Sequence, residues 1–146
     1  MLVYFGALGL GFMIVELVAL HRLVLVTGQP VVTSALVLAG FLIAAGCGSL
    51  YASGRRRQSR AARIAGLGVV LCAAAWHALM SVGGPVLATA DPLPGALIAG
   101  LSLAPMAFFM GQLFPLGLAA LGRDDPDLIA WAWGINGCAS VVGAIA

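Results

Sequence analysis

Charged residues are scarce in this sequence, and lysine is absent. Only 8% of the 146 residues are charged and 62% are hydrophobic, whereas a soluble domain usually carries about a quarter charged residues. So little charge excludes a water-exposed surface over most of the molecule, and we expect no nucleic-acid partner. The composition therefore predicts that a lipid bilayer surrounds the chain.

Paired cysteines and a basic leader are also missing. Cys47, Cys72 and Cys138 stand singly in apolar runs, without the spacing of a zinc or redox motif. No basic residue precedes Arg22, so we expect the first apolar run to remain as a membrane span rather than to be a cleaved signal peptide. No nucleophile–base pair or metal-ligand set is visible. Catalytic residues, a metal site and a cofactor are therefore not predicted, and enzymatic activity of the chain itself is disfavoured.

Apolar segments fill most of the chain and are separated by turn and charge signals. A helix that crosses about 30 Å of hydrocarbon needs roughly 20 residues, and five segments meet this length. The sequence predicts an all-α, multi-pass transmembrane bundle in one domain over 1–146, with spans at about 2–26, 31–52, 63–82, 95–121 and 128–146.

Arginine placement predicts the orientation. Five of the seven arginines border the second and third spans: Arg55, Arg56, Arg57, Arg60 and Arg63. Arg123 lies between the fourth and fifth spans, and five alternating spans place both loops on the same face. The positive-inside rule makes that face cytoplasmic. We expect an integral protein of a bacterial-type cytoplasmic membrane, with the N-terminus inside and the C-terminus outside.

Small residues recur at four-residue spacing in two spans. One stripe holds Gly40, Ala44 and Gly48, and the other holds Ala96, Gly100 and Ala104. Such stripes let helix backbones approach closely inside a membrane. They predict packing within the chain first, and an oligomer seam second.

Polar side chains at bilayer depth are costly, so each one needs a partner or a purpose. Glu16 and His77 both lie roughly 20 Å from the inner end of their spans, at 1.5 Å rise per residue. They could meet as a structural pair or as a proton relay. Gln112 and Asn136 form a second set, roughly 12–14 Å from the inner face. Hydrogen bonding across helices is expected for the amide pair, with a ligand site as the alternative.

Two prolines lie inside the fourth span. Pro105 and Pro115 each remove an amide donor, so the sequence predicts helix breaks or a kink there. Transporters place substrate sites at interrupted helices, although a kink that shapes the bundle is the simpler interpretation.

Several strings resemble the C-terminal membrane region of large spermidine-synthase-like membrane proteins. They are GLGFMIVE (9–16), LHR (20–22), TGQP (27–30), GCGSL (46–50), PMAFFMGQLFPLG (105–117) and WAWGINGCAS (131–140). The resemblance implies membrane spans that, in the family, are fused to a cytoplasmic domain similar to aminopropyltransferases and methyltransferases. This chain contains no segment matching that domain, so the resemblance assigns it no aminopropyl transfer.

Three functions remain open. The chain could anchor or scaffold a protein partner or a larger membrane complex without being catalytic itself. It could instead be a small oligomeric transporter or permeation module that uses Glu16 and the fourth span. A third alternative is a pigment- or haem-associated subunit, because His77 follows a run of small residues in a span and imidazole is a good axial ligand.

Overall fold

A computed structural model describes residues 2–53, 58–87, 89 and 91–145 of the chain. These residues form helices joined by short connections: α1 (Leu2–Thr27), α2 (Pro30–Ala52), α3 (Gln58–Leu87), α4 (Pro92–Asp124) and α5 (Leu128–Ile145). Each helix is long and apolar enough to cross a membrane. The predicted fold class is confirmed, because the described residues hold five such helices. Arg55, Arg56 and Arg57 of the predicted basic loop lie outside the described residues.

A tight turn joins α1 to α2. Gly28 has a φ of 65°, a left-handed conformation that glycine adopts without steric cost, and Pro30 opens α2 where its missing amide is not needed. The hydroxyls of Thr27 and Thr33 lie 2.6 Å apart across the turn. These features hold α1 and α2 antiparallel as neighbours.

The helix α3 extends beyond the predicted span 63–82 at both ends. The predicted span ends at 82, yet the helix continues through Gly83, Gly84 and Pro85 to Leu87. A residue before proline is normally pushed out of the helical region by clashes of the proline ring with its backbone N–H and its Cβ. Glycine has no Cβ, so Gly84 avoids one of these two clashes. Arg60 and Arg63 are exposed within the first turns of α3.

The bundle is built from two close helix pairs and one peripheral helix. Helix α2 lies along α4, α1 lies along α5, and α3 packs mainly on α4. The main core combines aliphatic, aromatic and methionine side chains from α1 to α4: Ala19, Leu23, Val37, Phe41, Trp76, Met80, Leu103, Met106 and Ala107. A smaller cluster of Phe5, Leu121 and Ala132 joins α1, α4 and α5.

The two small-residue stripes lie on helices that pack against each other, α2 and α4. Gly40, Ala44, Ala96, Gly100 and Ala104 line one groove between α2 and α4. Further along this seam, a Cβ added to Gly48 would collide with the carbonyl of Phe108, and one added to Gly111 would collide with that of Ala45. Gly48 therefore serves close packing within the chain, the first of the two roles predicted for its stripe, whereas the other stripe residues border the groove.

Candidate functional site at Glu16

Glu16 is a buried carboxyl group in the middle of α1. Its side chain is 7% exposed, and it has no hydrogen-bond partner among the residues that the structure describes. No fully buried side-chain oxygen or nitrogen in those residues lacks a partner. The Glu16 carboxyl therefore keeps part of its surface open, on the side where it borders a cleft.

This cleft, the Glu16 cleft, has a volume of about 430 Å³ and lies between α1, α2, α4 and α5. Its polar side chains are Glu16, Asn136 and Ser140. The remaining lining consists of Leu8, Gly9, Phe12, Met13, Leu42, Met110, Gly111, Leu113 and Phe114. The cleft is thus an apolar space with a few polar groups, which is the usual composition of a small-molecule or side-chain binding site.

Glycines allow the helices around the cleft to approach each other. A Cβ on Gly9 would collide with the carbonyl of Asn136 on α5. The hydroxyl of Ser140 lies 2.9 Å from the carbonyl oxygen of Asn136 and 3.3 Å from that of Gly9, so it bonds within α5 and across to α1. Gly111 brings α4 equally close to Ala45 of α2. The cleft is therefore bordered on two sides by backbone contacts.

His77 forms a hydrogen bond with Arg22 and not with Glu16, the residue at equal depth in the membrane. The guanidinium of Arg22 donates to Nδ1 of His77 over 3.3 Å, and within the described residues no hydrogen bond joins His77 to Glu16. The imidazole is exposed, whereas the carboxyl is buried toward α4 and α5. Equal depth in the membrane therefore does not join Glu16 and His77 as a hydrogen-bonded pair in the described structure, because it does not bring side chains to facing sides of their helices.

Gln112 and Asn136 also take separate roles. The Gln112 amide nitrogen donates to the carbonyl of Phe108 one turn earlier, at 3.4 Å, and the side chain is 3% exposed. Asn136 instead lines the Glu16 cleft. The expected hydrogen bond between the two amides is not among those of the described residues, so only Asn136 belongs to the candidate site.

The prolines do not break α4. The helix runs from Pro92 to Asp124 with Pro105 and Pro115 inside it, which corrects the prediction of helix breaks. Side-chain hydrogen bonds support α4 near both prolines. The Tyr4 hydroxyl donates to the carbonyl of Leu113 at 2.8 Å, and the Trp76 indole donates to the hydroxyl of Ser102 at 3.1 Å.

Sequence reasoning missed Ser140 and Gly9 as parts of the site. The available signal for Ser140 was its position four residues after Asn136, which puts both on one helix face. Among the described residues, no three His, Cys, Asp or Glu side chains cluster as metal ligands. The arrangement offers a carboxyl, an amide and a hydroxyl in an apolar cleft, which is suited to binding a polar group.

Comparisons of the chain with models of known protein families, with curated proteins and with solved structures found no match.

Proposed function

We propose that this chain is a membrane-embedded binding module, not catalytic by itself, that holds a partner protein within a larger membrane complex. The observation that carries the proposal is Glu16, a carboxyl that is 7% exposed and lacks a hydrogen-bond partner among the described residues. A polar group at this depth costs several kcal/mol unless something compensates it. The Glu16 cleft gives a polar group from a partner access to this carboxyl.

The proposal includes an orientation and a location. Arg60 and Arg63 are exposed at the start of α3, which supports a cytoplasmic position for this end under the positive-inside rule. The N-terminus would then lie inside and the C-terminus outside a bacterial-type cytoplasmic membrane. If the resemblance to spermidine-synthase-like membrane regions holds, a partner with a cytoplasmic catalytic domain would approach from the arginine-rich side.

Co-purification tests the proposal. After extraction with a mild detergent, we expect the chain to elute with a larger assembly in stoichiometric amount. The variant Glu16→Gln keeps the size of the side chain but removes its charge, and we expect it to lose the partner. Leu17→Ala is the matched control, because Leu17 is adjacent but 39% exposed. Purification of the wild-type chain as a lone homo-oligomer would contradict the proposal.

A permeation module is the second candidate, and the observation that favours it is that the cleft of about 430 Å³ reaches Glu16. The apolar lining and the continuous α4 weigh against it. In a variant without native cysteines, a water-soluble thiol reagent should modify Glu16→Cys if the cleft is an aqueous path. Absence of labelling, with efficient labelling of an exposed loop cysteine, would exclude this function.

The pigment or haem alternative has no comparable support. In its hydrogen bond with Arg22, His77 accepts through the lone pair of Nδ1. The proton of a neutral imidazole is then on Nε2, which leaves that nitrogen without a lone pair for a metal. Ligation by His77 would first require this hydrogen bond to break.

A further inference from the structure

We propose that the group bound in the Glu16 cleft is a single aliphatic ammonium, an amine head with one positive charge on an apolar stem. This inference deepens the proposed function, on which it rests for the idea that the cleft is a binding site. It follows from the donors and acceptors of the cleft, from its apolar lining and from the number of its charges.

The polar side chains of the cleft offer acceptors to a ligand that donates hydrogen bonds. The Glu16 carboxyl has no partner among the described residues. Ser140 uses its hydroxyl proton toward the Asn136 and Gly9 carbonyls, so its oxygen can act only as an acceptor for another molecule. Asn136 adds an amide, whose oxygen accepts and whose NH2 group donates. An ammonium group carries three donors and no acceptor, whereas a guanidinium carries five donors. Three polar side chains therefore match an ammonium better than a guanidinium.

The apolar lining of the cleft suits the aliphatic stem that carries the ammonium. Leu8, Met13 and Leu113 supply aliphatic and thioether surface around the carboxyl. Phe12 and Phe114 add aromatic rings to the same lining, and aromatic faces attract cations. Because methylene groups are favourably removed from water or polar headgroups by such surface, an aliphatic chain attached to the ammonium should add to the binding.

The charge count limits the ligand to one ammonium. Glu16 is the sole acidic residue among the side chains that line the described cleft. A second ammonium on the same stem would lie against apolar side chains, where a charge is strongly disfavoured. A diamine should therefore bind more weakly than a monoamine of equal length.

Thermal unfolding of the full chain in detergent near neutral pH tests this inference, with hexylammonium as the probe. When hexylammonium is at about ten times its dissociation constant, we expect the thermal unfolding midpoint of the wild-type chain to rise by roughly 3–6 °C. Hexan-1-ol and hexane-1,6-diamine should give clearly smaller shifts. Glu16→Gln should lose the hexylammonium shift, and Glu16→Asp, which keeps the charge, should retain part of it.

The inference is overturned if hexan-1-ol or the diamine matches hexylammonium on wild type. It is also overturned if Glu16→Gln responds like wild type. If Glu16→Gln does not fold, a failure of Glu16→Asp to distinguish hexylammonium from hexan-1-ol overturns it equally. Because the purified chain is used, these results are independent of whether a partner protein exists. Co-purification without any hexylammonium effect would refute the ammonium but not the scaffold, and the reverse outcome would refute the scaffold alone.

The native complex distinguishes the two sources of the ammonium. If a lysine of a partner helix occupies the cleft, a membrane-permeant carbodiimide should join the Glu16 carboxyl to it as an amide, while the reagent leaves as the urea. Mass spectrometry would then find the cross-link at Glu16 in wild type and not in Glu16→Gln. If the source is a free amphiphilic amine, the cross-link is absent and the complex responds to hexylammonium as the isolated chain does. A complex that shows neither the cross-link nor the hexylammonium response contradicts the inference.

Discussion

Replacing Gly111 with alanine puts a methyl group against the backbone of Ala45, at the point where α4 passes α2. The atoms that the new Cβ would meet are the carbonyl oxygen, the carbonyl carbon and Cα of Ala45, and no rotamer change can move them. The two helices must separate to relieve the contact. Carbon atoms pack best at about 3.5–4.0 Å, and even a gap of 0.5–1 Å forfeits a quarter to a half of the dispersion energy of each contact.

The expected magnitude follows from this forced separation. Overpacking a well-packed interior typically costs about 1–3 kcal/mol. Alanine also favours a helix over glycine by roughly 0.5–1 kcal/mol. In a membrane the separated spans remain helical, so this gain applies to both states and largely cancels. We therefore expect Gly111→Ala to lower the free energy of unfolding by about 1–3 kcal/mol, or roughly tenfold in the equilibrium constant for each 1.4 kcal/mol.

Reversible unfolding of the full chain in lipid bicelles measures this loss. Gly40→Ala is the matched control, because Gly40 is on the same seam and a Cβ there meets nothing within 4 Å. Its effect should stay within about 0.5 kcal/mol. The double variant with Gly111→Ala and Gly48→Ala should lose less free energy of unfolding than the sum of the losses in the two single variants, because both substitutions push the same helices apart. If Gly111→Ala is as stable as Gly40→Ala, the close approach of α2 and α4 is refuted.

Three further predictions address the other helix pair, the α1–α4 contact and the orientation. Gly9→Ala should destabilise the bundle by about 1–3 kcal/mol through a collision with the α5 backbone, whereas Gly11→Ala, with nothing within 4 Å, should not; equal effects in the same assay would contradict the α1–α5 packing. Tyr4→Phe should cost about 0.5–1.5 kcal/mol by removing the 2.8 Å hydrogen bond to the Leu113 carbonyl, and unchanged stability would show that this bond contributes nothing. Thr89→Cys, in a variant without native cysteines, should react with a membrane-impermeant maleimide added outside intact cells. Labelling only after permeabilisation would reverse the proposed orientation.

The spans could be predicted because apolar runs, and the turn residues that separate them, can be read directly from the sequence. Thr27, Gly28 and Pro30 mark the first turn, and the structure places the α1–α2 boundary there. The end of α3 near Pro85 was harder to predict, because proline usually ends a helix but the preceding Gly84 lacks the Cβ that contributes to the clash with the proline ring. Small residues at four-residue spacing also predicted close packing on one face of α2 and on one face of α4, but not that these two helices pack against each other.

The partners of the polar residues could not be predicted in the same way. Sequence position gives the depth of Glu16 and His77 in the membrane, but their meeting depends on how each helix is rotated about its axis. In a soluble helix a polar face fixes that rotation. Helices α1 and α3 are apolar nearly all round, so the rotation is set by packing, such as the contact of Gly9 with α5. With this packing, Glu16 lies in the same cleft as Asn136, and His77 forms its hydrogen bond with Arg22.

The same packing supports the proposal that Glu16 is satisfied from outside the chain. Backbone contacts hold together two of the helix pairs around the Glu16 cleft, α1 with α5 at Gly9 and α2 with α4 at Gly111. Protein interiors resist compression because they are close-packed, so these contacts keep the helices around the cleft at a fixed distance. The Ser140 hydroxyl bonds to the carbonyls of Asn136 and Gly9, and no hydrogen bond joins Asn136 or Ser140 to the carboxyl in the described structure. A rigid cleft with an uncompensated carboxyl therefore favours a ligand or a partner side chain over a rearrangement of the bundle.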